Sequence, residues 1–368
     1  LPLPRTPYYL LDESQLLRNL EVVRHVRDAS GAKSVLALKC FATFAVFPLL
    51  RVHLDGTTSS SLNEARLGHQ EFGKEVHAYS VAWARDEVEQ VAGFADKVIF
   101  NSAAQLRSFH PLVAHLVVGV RVNPGISHSH FDLADPARRY SRLGITDPAE
   151  LRSVSDLVSG LMFHFNCENT EVDSIARSLA LIGERYADVL HRMTWVSLGG
   201  GISFTTPGYD VDRFCALLSR FADEFGVQVY LEPGEAVVTS STELVTTVLD
   251  VVRNELDVAI VDASVEAHML DHLVYGTFPR IASPGAGPHP VVVAGRTCLA
   301  GDSFGEHSLA AQLAVGDEVR FADAAGYTMV KANWFNGVPR PSIVVRRLDG
   351  SIDIVREFSY EDFRSNLS

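Results

Sequence analysis

The sequence predicts an α/β chain in two parts. Residues 12–240 read as a (β/α)8 barrel, and residues 241–368, with 1–11, read as a mostly β domain. Two observations carry this. In the first two thirds, eight short apolar runs alternate with segments of helical period, the pattern of parallel strands buried on both faces. After about Glu235 the long helical periods stop and β-branched runs take over. A doubly wound sheet is the competing architecture for the first part. Eight units without a reversal of strand order favour the closed barrel.

The eight runs are 35–39, 52–57, 76–79, 97–101, 118–123, 161–166, 195–198 and 227–232. A first helix, capped by Asp12 with Leu16, Leu20 and Val23 facing inward, precedes the first strand. Ser61-Leu-Asn-Glu64 is a capping box, and Asp147 followed by Pro148 is a cap with proline at the first helical position. Ile175, Leu179, Ile182, Tyr186 and Val189 repeat at helical spacing, as do Phe214, Leu217, Leu218 and Phe221. In the second part, 243–252, 258–261, 291–293, 318–321, 343–347 and 352–355 read as strands. The Gly/Pro-rich segment 282–290 reads as a loop.

Composition narrows the function. The chain has 368 residues, is 47% hydrophobic and carries a formal net charge of -13. That charge argues against a nucleic-acid partner and suits a cationic substrate, although acidic solubility alone also accounts for it. No apolar run reaches the length of a membrane span, and Leu1 to Pro7 lack the layout of a secretory signal. Cys40, Cys167, Cys215 and Cys298 form no close pair, so neither a disulfide framework nor a zinc site is expected, and a cytoplasmic setting is.

In a barrel of this kind chemistry gathers at the C-terminal strand ends. The first strand ends in Lys39, the sixth carries His164, the seventh runs into Gly199, Gly200 and Gly201, and the eighth ends in Glu232-Pro-Gly234-Glu235. Alone, each has an ordinary explanation: a solvated strand end, a core histidine, a tight turn, a turn carboxylate. Together they supply the parts of a pyridoxal phosphate site. Lys39 would hold the cofactor as a Schiff base, and the glycines would let backbone N–H groups approach its phosphate. Glu232 would keep the ring nitrogen protonated, and His164 would stack on the ring. In the second part, Gly295-Arg-Thr-Cys298-Leu-Ala-Gly-Asp302 reads as a tight loop presenting a cysteine and an aspartate, and Tyr327 could reach a phosphate. A buried inert cysteine is the alternative. His128-Ser-His130 alternates like a metal pair but has no third ligand at suitable spacing, so no metal is expected.

The chain resembles the fold-type III pyridoxal-phosphate-dependent decarboxylases, the group of ornithine and diaminopimelate decarboxylases. The likeness rests on Ala37-Leu-Lys39-Cys40-Phe41, Leu54 through Ser61, Ser141-Arg-Leu-Gly144, His164 through Asn169, Ser197-Leu-Gly-Gly-Gly201, Glu232-Pro-Gly-Glu-Ala236, Glu266-Ala-His-Met269, Thr297 through Asp302, and Tyr327 through Lys331 with Trp334-Phe-Asn-Gly337. The runs around Cys167-Glu168 and Cys298 are similar to a branch acting on carboxylated polyamines.

The resemblance implies an alanine-racemase-like barrel with a C-terminal β domain, pyridoxal 5'-phosphate as cofactor, and a homodimer with shared active sites. It implies decarboxylation of carboxynorspermidine or carboxyspermidine, giving norspermidine or spermidine. Lys39, His164, Glu232 and Cys298 would be catalytic, with Cys298 supplied by the partner subunit to protonate Cα. Gly199, Gly200, Gly201, Gly234 and Tyr327 would hold the phosphate. Asp302, Glu168 and His268 would face the substrate. Glu235 stands where the group usually has arginine, and segments 131–140 and 270–278 are unlike it. Two alternatives stay open: a decarboxylase of another diamino acid or of a specialised metabolite, and a catalytically inactive binding relative. Lys39, Glu232 and Cys298 together speak against the second.

Overall fold

The structure is a computed structural model that describes residues 3–129 and 131–368. His130, half of the expected histidine alternation, lies outside the described residues. The chain divides into two compact units, Arg18–Val237 and a second made of residues up to Leu17 with Val238–Ser368.

Strand β1 (Tyr8–Asp12) leads into the helix Glu13–Ser30. The Asp12 carboxylate accepts from the N–H groups of Ser14 and Gln15 at 2.8 and 3.4 Å, as expected of the cap. Leu16, Leu20 and Val23 are fully buried.

The first of the two units is a closed parallel barrel of β2 (Lys33–Ala37), β3 (Gly56–Ser59), β4 (Glu75–Tyr79), β5 (Lys97–Phe100), β6 (Val117–Val122), β7 (Gly160–Phe163), β8 (Trp195–Ser197) and β9 (Gln228–Leu231). All eight expected strands are present, and most end earlier than expected. Lys39, Asn101, His164 and Glu232 fall just beyond their strands, where turns can aim them. The run 52–57 needs the largest correction. Phe47–His53 is a helix with proline in its first turn and Phe47 and Leu50 buried, so the strand starts only at Gly56.

Helices cover the barrel as the apolar periods predict. Val172–Leu190 buries Ile175, Leu179, Ile182, Tyr186 and Val189, and Val211–Phe225 buries Phe214, Leu218 and Phe221. Inside, Trp195 lies across two neighbouring strands. A methyl group at Gly160 would meet its indole at 2.0 Å, and one at Gly119 at 2.6 Å, so both positions need glycine.

The N-terminal end of the barrel is closed by one carboxylate. Glu75 Oε1 accepts from Lys33 Nζ at 2.5 Å. Its Oε2 accepts from Lys97 Nζ at 2.7 Å, Tyr230 OH at 2.9 Å and His77 Nε2 at 3.2 Å. Burial alone would raise the Glu75 pKa, but the bonds from His77, Lys33 and Lys97 outweigh it and hold the carboxylate well below its usual range. His77 is fully buried, and that burial holds it at about 4 against the pull of Glu75.

The second unit is a nine-stranded mixed sheet. Its further strands are β10 (Thr242–Asn254), β11 (Leu256–Val261), β12 (Ile281–Ser283), β13 (Ala286–Ala294), β14 (Ser303–Leu309), β15 (Glu318–Phe321), β16 (Ser342–Arg346) and β17 (Ile352–Arg356). They run in the order β14-β13-β11-β10-β1-β16-β17, with β15 also on β10 and β12 on β15. β1 is an inner strand, antiparallel to β10 and parallel to β16. Three strands escape the sequence reading: β1, β12 and β14. The expected loop 282–290 is largely strand. Its Gly/Pro content is accommodated by a shifted register between Ala286 and His289 on β14.

Stability should fall as pH drops from 7 towards 4. His77 stays neutral in the fold to about 4, against 6.5 when unfolded, so the unfolded chain binds the extra proton in that window. At pH 5 this corresponds to roughly 2 kcal/mol. Denaturant titrations at pH 7 and pH 5 should show it, and His77→Gln should shrink the difference. Equal stability at both values in the wild type contradicts a neutral His77.

Candidate active site

At the C-terminal end of the barrel, one pocket is lined by Ala37, Lys39, Thr58, Ser59, Ser60, Tyr79, Arg121, Met162, His164 and Glu232. Lys39 rides on a turn closed by bonds from the N–H groups of Cys40 and Phe41 to Ala37 O. Its neighbours Leu38, Cys40 and Phe41 are buried, which pins the turn. Lys39 itself is accessible within a pocket walled by protein. It stands in the floor of a hollow. That burial lowers its pKa, helped by Arg121 and opposed by Glu232.

Glu232 follows β9. Its Oε1 accepts from Ser197 Oγ at 2.5 Å, and the same Ser197 oxygen accepts from Gly199 N–H at 3.1 Å. Burial pushes the Glu232 carboxyl up. The Ser197 and Thr58 hydroxyls, Lys39 and Arg121 push it back towards the anion. His164 follows β7. Its Nδ1 accepts from Gly200 N–H at 3.2 Å, which fixes the tautomer with the proton on Nε2. Burial, Lys39 and Arg121 hold its pKa well below 6.5, so the ring is neutral.

The three consecutive glycines are required by packing. A methyl group at Gly199 would sit 2.3 Å from His164 Nδ1, at Gly200 2.3 Å from Glu232 O, and at Gly201 2.3 Å from Asn166 O. At Gly234 it would sit 2.5 Å from Cys40 Cβ. The N–H groups of Gly199 and Gly200 bind Ser197 and His164, which takes two of the expected phosphate donors inward. The N–H groups of Gly201 and Gly234 have no protein acceptor among the described residues. An accessible amine in a hollow, a buried carboxyl group braced by Ser197, a neutral ring of fixed orientation and two free N–H groups fit a pyridoxal phosphate.

Glu168 is exposed on the loop after β7 with φ 52°, uncommon for a residue with a side chain. The remaining expected residues lie in the sheet unit. Tyr327 has φ 51° and a half-buried ring with Lys331 Nζ 5.3 Å from its centroid. Cys298 is an exposed free thiol whose N–H donates to Asn336 Oδ1 at 2.6 Å.

Asp302 and His268, expected to face the substrate, are both engaged by backbone and side-chain bonds within the sheet unit. Asp302 is buried and its carboxylate is taken up by its own loop and by the start of the helix Val265–His268. Oδ1 accepts from Val265 N–H at 2.8 Å, and Oδ2 from Thr297 N–H at 3.0 Å and Thr297 Oγ1 at 2.6 Å. These bonds shape the segment that carries Cys298. His268 is fully buried. Its Nδ1 accepts from Ser264 N–H at 3.2 Å, and burial and Arg340 hold its pKa at about 3. It is a neutral core histidine.

Sequence reasoning missed Arg121, Tyr79, Ser197 and Thr58. Arg121 left one signal, a lone charge inside the apolar strand Val117–Val122.

Asp302→Ala should therefore act on stability. It strips partners from three donors and should lower unfolding free energy by about 2–4 kcal/mol. Thermal unfolding measures this. A wild-type melting temperature with a large rise in KM would restore Asp302 to the substrate.

Comparison with known proteins agrees with the geometry. The family model described as pyridoxal-dependent decarboxylase, C-terminal sheet domain, matches residues 58–325. A carboxynorspermidine/carboxyspermidine decarboxylase of Herminiimonas arsenicoxydans is 53% identical over 99% of both chains. A carboxyaminopropylagmatine decarboxylase of Synechocystis is 34% identical over 98% of this chain and 95% of its own. The solved structure of carboxynorspermidine decarboxylase complexed with norspermidine from Campylobacter jejuni superposes with a TM-score of 0.90 at 34% identity, covering 99% of this chain and 100% of that one. The chain belongs to the pyridoxal-dependent decarboxylases, on the branch of the carboxynorspermidine/carboxyspermidine decarboxylases.

Proposed function

We propose that this enzyme decarboxylates carboxynorspermidine or carboxyspermidine, with Lys39, His164 and Glu232 serving the cofactor. The observation that carries the reading is their convergence in one barrel-mouth pocket, in a chain 53% identical to a relative of that name. What pyridoxal phosphate supplies when bound is an electron sink for the pair left on Cα as carbon dioxide departs.

The chain's own residues prepare that step. Burial and Arg121 favour the neutral, nucleophilic form of the Lys39 amine. Glu232, braced by Ser197, offers a carboxylate to a ring nitrogen. His164, locked by Gly200, offers a flat neutral face. Gly201 and Gly234 offer N–H groups to phosphate, and Tyr327 a hydroxyl. Cys298 supplies the proton to Cα from the partner subunit of a homodimer, consistent with its exposed thiol. Glu168, exposed after the strand that leads to His164, is the carboxylate left to meet a distal amine of the substrate.

A substrate panel tests the reading. Carboxynorspermidine and carboxyspermidine should give kcat/KM values at least about tenfold above those of ornithine, lysine and diaminopimelate, a difference of roughly 1.4 kcal/mol. Carboxyaminopropylagmatine belongs in the panel because of the 34% identical relative. Preference for it would move the assignment to that substrate. Efficient turnover of a short diamino acid alone would remove the polyamine reading and leave the chemistry.

Mixing tests the shared site. Lys39→Ala and Cys298→Ala are each expected to be inactive. After subunit exchange, a random mixture should recover about a quarter of wild-type sites, because about half the dimers are mixed and each has one intact site. No recovery despite demonstrated exchange places both residues in one chain's site.

A further inference from the structure

Arg121 is 4% exposed, and among the described residues no carboxylate lies within ion-pair distance of it. A buried guanidinium without a counter-ion is costly, so its place in the barrel needs a reason. Its two ends are both engaged. Nη2 donates to His164 O at 3.4 Å, and Nη1 donates to Tyr79 OH at 2.9 Å. The Tyr79 ring also faces the guanidinium, 5.4 Å from its centroid.

The line continues away from the pocket. Tyr79 OH donates to Asn101 Oδ1 at 2.8 Å, and Gly144 N–H donates to the same oxygen at 2.8 Å. Asn101 Nδ2 donates to Arg142 O at 2.7 Å. These bonds admit one direction only. Gly144 offers a proton and Arg142 an oxygen, which fixes the Asn101 amide. Tyr79 has a single proton, and Asn101 takes it. Tyr79 must therefore turn a lone pair to Arg121. Tyr79 closes β4, Asn101 follows β5 and Arg121 belongs to β6, so three successive strands set the guanidinium without giving it an anion.

We propose that Arg121, with Tyr79 and Asn101 behind it, is the positioning set of this active site: it anchors the carbonyl of His164 and holds a fixed positive charge against the pocket shared by Lys39 and Glu232. The inference rests on the assignment of Lys39 and Glu232 to the cofactor. The groups that act on Lys39 are Arg121, Glu232, Cys40 and Glu64, and Lys39 in turn acts on His164. Arg121 alone among them cannot lose or gain charge in the working range, so it biases the others steadily.

The test uses the loaded enzyme. The visible absorption band of bound pyridoxal phosphate is titrated with pH, and kcat, KM and melting temperature are measured alongside. Arg121→Met removes a positive charge and should raise the titration midpoint by about half a pH unit or more. Arg121→Lys keeps the charge and loses the fork. Its midpoint should stay near that of the wild type while kcat falls about tenfold with KM little changed. Tyr79→Phe removes one oxygen and no charge, which keeps the test readable if Arg121→Met does not fold. It should likewise lower kcat several-fold at constant KM. Unmoved midpoints and unchanged kcat in variants that melt like the wild type would overturn the proposal. So would losses of kcat that merely follow the fraction folded. Borohydride reduction with peptide mapping is run on the same samples. A label on a lysine other than Lys39 overturns the cofactor assignment, whereas a label on Lys39 with an unmoved spectrum overturns only the role of Arg121.

Discussion

A carboxylate withdrawn from water must be met by donors or cations, and the barrel satisfies this demand at both ends in different ways. At the N-terminal end Glu75 receives four donors and is saturated. At the C-terminal end Glu232 accepts from the Ser197 hydroxyl, while Thr58, Lys39 and Arg121 also draw it towards the anion. The first carboxylate has nothing left to offer and ties strands together. The second keeps capacity in reserve, and the pocket forms around it. Ser197 serves both Glu232 and the turn at Gly199, and Glu232 N–H returns a bond to Gly199 O. The glycine turn and the carboxylate therefore fix each other.

The same economy governs His164. Its imidazole is held by a backbone N–H on one side and its carbonyl by Arg121 on another. Neither partner can titrate near neutral pH. The ring's orientation and tautomer are thus insulated from changes in the surrounding carboxylates, which suits a surface whose task is to stay flat and uncharged.

Much of this was legible in the chain. The barrel strands are short, apolar and punctuated by caps, so periodicity finds them. Lys39, His164 and Glu232 were readable because each polar residue interrupts an apolar run at its C-terminal end, where a barrel exposes side chains. Arg121, Tyr79 and Ser197 were not, because the bonds that give them meaning join strands distant in sequence. Asp302 and His268 carry bonds that the sequence does not announce. Both sit in suggestive runs, but their orientation is set by Val265, Thr297 and Ser264, and spacing does not report which way a side chain turns. Residues 52–53 read as strand because a valine at the end of a helix looks like the start of a β run. β14 was hidden by its polar composition and by Gly305, whose φ of 104° accommodates the Phe278 ring against it.

The Asp302 loop has a bearing on how this scaffold can change. Its shape is held by backbone bonds and by the aspartate and threonine at its ends, and the Cys298 side chain takes no part in them. The loop is a socket: position 298 can be exchanged without loosening the mount. New chemistry at that point, whether a weaker acid or a bulkier group, can be sampled by drift or by design at little cost to folding. Gly295, with a carboxylate oxygen 2.3 Å from where a Cβ would stand, admits no such freedom.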